Sequence, residues 1–312
     1  MKLSIVIPVY NEEDSLPELF TQLRNSLEAV AREAEVILVD DGSADASFAG
    51  MKRLAAGDRR FRLVRFRRNY GQTAAMSAGF DAATGDVIVT MDADLQNDPA
   101  DIPLLLDKLD QGYDVVSGWR KNRQDRLLSR RLPSVLANRL ISRLTGVHLN
   151  DYGCTLKAYR KAIISDVNLY GELHRFVPVL AAIVGGRVTE VSVNHRARLY
   201  GQSKYGIGRT TRVVLDLLTV KFLLQYATRP MQLFGKWGLY TLVASGLVGA
   251  ATLYMKFFEQ MSINRNPLFI LCIFLFFGGV HFLVLGLLGE MITRTYHETQ
   301  KKSIYNIAET VN

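Results

Sequence analysis

The sequence predicts an α/β fold: a mostly parallel sheet flanked by helices, followed by a C-terminal interfacial helix and two transmembrane helices. Three observations lead there. From residue 3 to residue 120, short apolar runs alternate with helical stretches, the pattern of successive strand–helix units. The apolar runs end in polar residues, as strands do when their tips line a crevice. Near the C-terminus, two long stretches contain no Asp, Glu, Lys or Arg.

The elements follow in order. Leu3–Val9 is an apolar run ending Pro8-Val9-Tyr10-Asn11-Glu12, a first strand with a loop at its tip. A helix starts near Ser15, with Pro17 in its first turn and Leu16, Leu19, Phe20, Leu23, Leu27 and Val30 on one face. Glu35–Val39 is a second strand, ending Asp40-Asp41-Gly42-Ser43, and a helix covers about Asp45 to Ala56. Phe61–Phe66 is a third strand, followed by Asn69-Tyr70-Gly71-Gln72 and a helix of small residues from Thr73 to Ala83. Asp86–Met91 is the fourth strand, ending Asp92-Ala93-Asp94. Asp98-Pro99 starts a helix that runs through Leu109, and Tyr113–Ser117 is a fifth strand leading to Arg120. Asn150 to Lys157 brings another carboxylate, Asp151, to a glycine turn. Arg187–Val193 is a late strand.

Two acids one residue apart at a strand tip are hard oxygen ligands. They suit a divalent cation that keeps several waters and takes its other ligands from a phosphate-bearing substrate. The alternative for an isolated Asp-x-Asp is a solvated turn. Neither Gly-x-Gly-x-x-Gly nor a Walker-type loop occurs, which disfavours dinucleotide and P-loop nucleotide sites. The net charge of +8 is concentrated between Lys121 and Arg143, in Arg123, Arg126, Arg130, Arg131 and Arg139 among others. Such a stretch is either a solvated face or a surface for phosphates and anionic headgroups. The loop Arg198 to Gly206, rich in glycine, hydroxyl and basic residues, can order around an anion.

The chain has 312 residues, of which 48% are hydrophobic. Trp237–Met255 and Pro267–Gly289, about 19 and 23 residues, are long enough to cross a hydrocarbon core of about 30 Å. Lys256 to Asn266 joins them as a hairpin. Thr210 to Thr228 mixes Val213, Val214, Leu217 and Leu218 with Arg212, Asp216 and Lys221, the pattern of an interfacial helix. Lys221, Arg229 and Lys236 precede the spans, and Arg294, Lys301 and Lys302 follow them. The positive-inside rule therefore places both termini in the cytoplasm, and the expected location is the inner (plasma) membrane. Met1-Lys2-Leu3 leads straight into a strand, so no signal peptide is expected. Cys154 and Cys272 lie in different parts of the chain and are expected to stay reduced.

Six segments occur together and in order: Pro8–Glu12, Asp40–Ser43, Asn69–Gln72, Asp92-Ala93-Asp94-Leu95-Gln96, Asp151-Tyr152-Gly153-Cys154, and Arg198 with Gly201-Gln202-Ser203-Lys204-Tyr205. In this the chain resembles the family 2 glycosyltransferases of the GT-A (Rossmann-like) fold, and among them the polyprenyl-phosphate glycosyltransferases. The resemblance covers nearly the whole chain, both spans included. No Gln-x-x-Arg-Trp of the processive polysaccharide synthases is present, which points to transfer of one sugar at a time.

The resemblance implies a nucleotide site at Pro8, Tyr10, Asn11, Glu12, Asp40, Asn69, Gln72 and Asp92. It implies a metal site, Mg²⁺ or Mn²⁺, at Asp92 and Asp94. It makes Asp151 the catalytic carboxylate, as a base or as an orienting group. Arg120, Arg131, Arg198, Ser203 and Lys204 fall where the family holds phosphates of donor or lipid acceptor. The implied reaction is single-displacement transfer, with inversion, from a UDP-sugar such as UDP-glucose to undecaprenyl phosphate, serving cell-envelope glycan or lipid modification. The alternatives are a GDP-mannose-using enzyme like dolichol-phosphate mannose synthase, and a non-catalytic nucleotide-sugar binder. The implied partners are the nucleotide sugar, the polyprenyl phosphate, the bilayer and further copies of the chain, with no nucleic acid. The expected organisation is a GT-A domain over 1–208, an interfacial helix over 209–232, a two-helix hairpin over 233–292 and a cytoplasmic tail over 293–312.

Overall fold

The computed structural model describes residues 1–30, 32–121, 138–139, 141–143, 145–165, 167, 169, 173–196, 222, 226, 230–263, 266–299 and 307–311. The chain divides into two units, Met1–Asp216 together with Ser303–Asn312, and Leu217–Lys302.

In the first unit, β1 (Leu3–Val9), α1 (Leu16–Ala29), β2 (Ala34–Asp40), α2 (Ser47–Ala55), β3 (Phe61–Phe66), α3 (Gln72–Ala82) and β4 (Val87–Thr90) alternate as the apolar periodicity dictates. A 3₁₀ turn at Pro99–Asp101 leads into α4 (Ile102–Asp110). It is capped by Asp98, whose carboxylate accepts from Ala100 N at 3.1 Å. Then come β5 (Val115–Trp119), β6 (Lys157–Arg160), α5 (Lys161–Ile164), α6 (Val177–Ile183), β7 (Val188–Ser192) and β8 (Ile307–Val311).

The strands form one sheet in the order β7-β5-β6-β4-β1-β2-β3-β8. The pairs β1/β2, β1/β4, β2/β3 and β5/β7 are parallel. β6 is antiparallel to both β4 and β5, and β8 is antiparallel to β3. The mostly parallel sheet expected from the sequence is thus present, with two antiparallel strands that the alternation pattern did not disclose. One face buries Leu3, Ile5, Ile7, Val36, Leu38, Val87 and Val89 against Leu16, Leu19, Phe20 and Leu23 of α1, Phe48 and Met51 of α2 and Leu105 of α4. On the other face lies α3, so close that a Cβ at Gly79 would sit 2.1 Å from Val6 Cγ1. Phe80 meets Tyr159 edge-on there, with centroids 5.8 Å apart.

β6 matters most for function. The chain turns back between β4 and β5, so that Lys157 pairs with Thr90 and with Ser117. The start of β6 therefore lies beside the C-terminal ends of β4 and β5. The order also reverses at β1, between β2 and β4, and ligands of open α/β sheets bind at such a switch point.

The second unit contains α7 (Pro230–Phe258) and α8 (Pro267–Thr299). Pro230–Phe258 and Pro267–Gly289 are long and apolar enough to cross a membrane, with mean hydropathies of 1.4 and 2.7. α7 starts ahead of the expected Trp237, and α8 runs past Gly289 to Thr299. The buried residues of α7 include Gly238, Ser245 and Thr252, a seam of small side chains seven apart. A Cβ at Gly238 would lie 3.0 Å from Gly279 O of α8, and Ser245 Oγ donates to Cys272 O at 2.8 Å. Large apolar residues such as Phe274, Phe277 and Leu247 point outward. Both cysteines are free.

The expected interfacial helix lies outside the described residues apart from Phe222, Tyr226 and residues 230–232, and so do Arg123, Arg126, Arg130, Arg131, Arg198, Ser203 and Lys204. The expected tail includes β8, which closes the edge of β3.

Candidate active site

A chain of hydrogen bonds crosses the strand tips from β1 to β5. After β1, Asn11 sits at φ 52°, a left-handed conformation that asparagine tolerates better than most residues. Its N–H donates to Ser43 Oγ at 3.0 Å, and its Oδ1 accepts from Ala44 N at 2.9 Å, tying the β1 tip to the β2 tip. Glu12 N donates to Ser47 Oγ at 2.8 Å. Tyr10 is exposed beside them, and Pro8, one residue before the end of β1, is half-buried.

After β2, Asp40 is fully buried. Its Oδ1 accepts from Ser43 N at 3.2 Å. Its Oδ2 has no hydrogen-bond partner among the described residues and lies 3.4 Å from Arg65 Nε. A buried carboxylate oxygen in that state has spare capacity to accept a donor from a ligand. Asp41 instead accepts from Tyr70 N at 2.7 Å and Gly71 N at 2.9 Å, which joins the β2 tip to the Asn69–Gln72 segment. Burial raises the Asp41 pKa, partly offset by those two amides. Gly42, at φ 68°, makes this approach possible: a Cβ there would sit 2.4 Å from the Arg68 carbonyl carbon. Asn69 is exposed at the tip of β3.

The acids follow β4. Gln72 Nε2 donates to Asp92 Oδ1 at 2.9 Å, and Thr155 Oγ1 donates to Asp92 Oδ2 at 2.7 Å. Thr155 Oγ1 also lies 3.0 Å from Asn97 Oδ1. Asp94 is 6% exposed, and its Oδ1 accepts from Gln96 N at 3.2 Å. Leu95 between them has φ 62° although its side chain is buried, which costs about 1–2 kcal/mol for an L-residue. Such strain concentrates at functional loops. Burial, and then the charge of Asp94, raises the pKa of Asp92, partly offset by the Thr155 hydroxyl and by the charges of Arg120 and Lys157. Among the described residues, no group of three or more His, Cys, Asp and Glu could hold a metal by itself. A pair of hard carboxylates one residue apart at a strand end fits a divalent ion that completes its shell with waters and phosphate oxygens.

On the far side, Arg120 follows β5 and Asp151 precedes β6. Arg120 Nε donates to Asp151 Oδ2 at 2.6 Å and Nη2 donates to Oδ1 at 2.9 Å, a bidentate pair. Asp151 is 5% exposed. Burial would lower the Arg120 pKa, but the hydrogen bonds and charge of Asp151 raise it above the ordinary arginine value. Gly153 N also donates to Asp151 Oδ1, at 3.1 Å.

The structure thus joins Asn11, Gln72 and Asp92 into one network, with Asp40 beside Ser43 and with Asp94, Arg120 and Asp151 at the same strand ends. Gln72 is engaged with Asp92 rather than facing open solvent. Sequence reasoning passed over Thr155, Asn97, Arg65 and Lys157 as site residues. The signal for Thr155 and Lys157 was present: Thr155, Lys157 and Tyr159 alternate with Leu156 and Ala158, the period of a strand.

Residues 4–167 match the family described as Glycosyl transferase family 2. Dodecaprenyl-phosphate galacturonate synthase of Rhizobium johnstonii is 42% identical over 313 residues, covering 99% of this chain and 93% of that protein. Undecaprenyl-phosphate 4-deoxy-4-formamido-L-arabinose transferase of Salmonella choleraesuis is 38% identical over 312 residues, covering 99% and 94%. Among solved structures, Mycobacterium tuberculosis glucosyl-3-phosphoglycerate synthase with Mn²⁺, UDP-glucose and phosphoglyceric acid superposes with a TM-score of 0.56. It is 17% identical, and the match covers 72% of this chain and 79% of that one. That likeness concerns the fold.

Proposed function

The chain belongs to glycosyl transferase family 2, and on that premise we propose that it transfers one sugar from a UDP-sugar to a polyprenyl phosphate, undecaprenyl phosphate in particular, with inversion at the anomeric carbon. The observation that carries this is the continuous network at the strand ends: an acid pair for a metal–diphosphate and a buried Arg–Asp pair, linked through β6.

The residues divide the work. Tyr10, Asn11, Glu12 and Asp40 hold the nucleoside, Asp40 Oδ2 being the buried acceptor with capacity to spare. Asn69 and Gln72 border it. Asp92 and Asp94 would hold Mg²⁺ or Mn²⁺. When bound, the ion serves as a Lewis acid for the charge that builds on the leaving group. Gln72 and Thr155 fix the Asp92 carboxylate so that it needs no reorganisation on donor binding. Arg120 presents its remaining N–H to a phosphate, with Arg131, Arg198, Ser203 and Lys204 assigned to the same task by resemblance.

We assign Asp151 to orienting Arg120 rather than to removing a proton. Both its oxygens are gripped by one guanidinium. The acceptor phosphate also needs little help from a base, because its second pKa is about 6 and it is already ionised at neutral pH.

The two apolar helices anchor the protein in the membrane that holds the lipid acceptor. Strands from before and after these helices share one sheet. This pairing supports an even number of crossings, and the flanking Lys and Arg residues support both termini being cytoplasmic. In right-side-out vesicles, a cysteine added after Asn312 should resist an impermeant maleimide and one placed in the 259–263 hairpin should react; the reverse pattern rejects this topology. A small two-helix anchor also favours a homo-oligomer, which mass photometry in detergent would reveal.

The function itself is tested with a donor panel and undecaprenyl phosphate in detergent, with the lipid product identified by mass. UDP-glucose opens the panel, joined by UDP-linked galacturonate and 4-deoxy-4-formamido-L-arabinose, the sugars in the relatives' names. A UDP-sugar should be consumed; consumption of GDP-mannose alone rejects the UDP assignment.

A further inference from the structure

Lys157 is 2% exposed at the first position of β6, opposite Thr90 of β4 and Ser117 of β5. An ammonium stripped of water is costly unless its N–H groups find acceptors. Here Nζ donates to Tyr152 O at 3.3 Å and to Cys154 O. Burial pushes its pKa down to about 8, which still leaves it charged at neutral pH. A Leu or Met would fill the same space at lower cost, so the charge has a use other than packing.

The two carbonyls mark that use. They belong to the turn Asp151–Thr155. At one end of the turn Asp151 grips Arg120, and at the other end the Thr155 hydroxyl donates to Asp92. The turn contains Gly153, whose N–H is committed to Asp151, and it leads from the acceptor side of the site to the donor side. A single cation binding two of its carbonyls fixes its curvature.

We propose that Lys157 is a positioning residue for sugar transfer: by gathering the Tyr152 and Cys154 carbonyls, it sets the spacing between the Arg120–Asp151 pair and Asp92. It touches no reacting group. The inference rests on reading this site as a glycosyltransferase centre.

Lys157→Met, Lys157→Arg and Thr155→Val are compared in detergent with the wild type by kcat, by KM for the donor and by thermal unfolding. Lys157→Met should lower kcat about 100-fold or more while the donor KM stays within about 3-fold, the signature of a lost transition-state alignment. Lys157→Arg, which keeps donors for both carbonyls, should retain at least about a tenth of kcat. Lys157→Met and Thr155→Val should be non-additive, because both act through one turn. A folded Lys157→Met enzyme with kcat within about 3-fold of wild type overturns the inference, as do fully additive losses. If Lys157→Met does not fold, Lys157→Arg decides: high kcat supports the inference, and a folded enzyme with a 100-fold loss overturns it. No transfer by the wild type with any donor overturns both this inference and the reading of the site, whereas an active wild type with an indifferent Lys157 overturns this one alone.

Discussion

Asp151 shows how one side chain's role depends on its partner. A carboxylate that serves as general base contributes about 10²–10⁴-fold, and removing it hurts less when the pH rises and the substrate ionises by itself. A carboxylate that holds a buried arginine is needed at every pH. Asp151→Asn keeps one acceptor oxygen but loses the bidentate charge pair. Its kcat should fall about 100-fold, by the same factor from pH 6.5 to pH 9. A loss that shrinks steeply with rising pH across the acceptor's pKa would restore the base. The acids themselves were legible in the sequence, because Asp-x-Asp at the end of an apolar run and Asp151 beside a glycine turn stand out by spacing. Their partners were not. Gln72 and Thr155 reach Asp92 from residues 20 and 63 positions away, and no local pattern encodes such a meeting. The left-handed Leu95 was equally invisible, since a buried leucine is ordinary in every respect but its backbone.

At the scale of elements, strand–helix alternation gave the parallel half of the sheet because each run carries its own periodicity. β6 escaped because its four residues, Lys157–Arg160, are short and include a buried lysine and an arginine. β8 escaped because it follows the apolar helices and pairs only with β3. The elements are clamped at the end of the sheet opposite the site by Glu35. Its Oε1 accepts from Ser4 Oγ at 2.6 Å and from Thr84 N and Oγ1, each at 2.7 Å, while Oε2 accepts from Arg62 Nη1 at 2.9 Å. β1, β2, β3 and the exit of α3 meet there. Burial alone would raise the Glu35 pKa, but these hydrogen bonds outweigh it and lower the value to about 2, against 4.5 for the free group. The unfolded chain then binds more protons between those values. The clamp's stabilisation is therefore complete above pH 4.5 and is lost as pH falls toward 2, at up to about 1.4 kcal/mol per pH unit. Glu35→Gln should lower the unfolding temperature at pH 7 and flatten its decline between pH 5 and pH 3; an unchanged slope would place the acid sensitivity elsewhere.

At the scale of the molecule, the chain combines a catalytic α/β unit that handles a water-soluble donor with a pair of apolar helices suited to the bilayer of a lipid acceptor. The uncharged length of those helices made the second unit readable from composition, and six ordered motifs made the first readable by resemblance. The link between Asp92 and the Arg120–Asp151 pair needed the structure, because it runs through a strand inserted against the direction of its neighbours. In the proposed reaction, Asp92, Asp94, Asp151 and Arg120 form one metal-dependent centre for transfer to a lipid phosphate. The most direct test follows nucleoside diphosphate release by the purified, detergent-solubilised protein, with the donor panel, Mn²⁺ or Mg²⁺, and undecaprenyl phosphate. Release should require the lipid phosphate, stop with EDTA, and fall about 100-fold or more in Asp94→Ala. Release that persists without metal or without lipid phosphate, or its absence with every donor, would contradict the account.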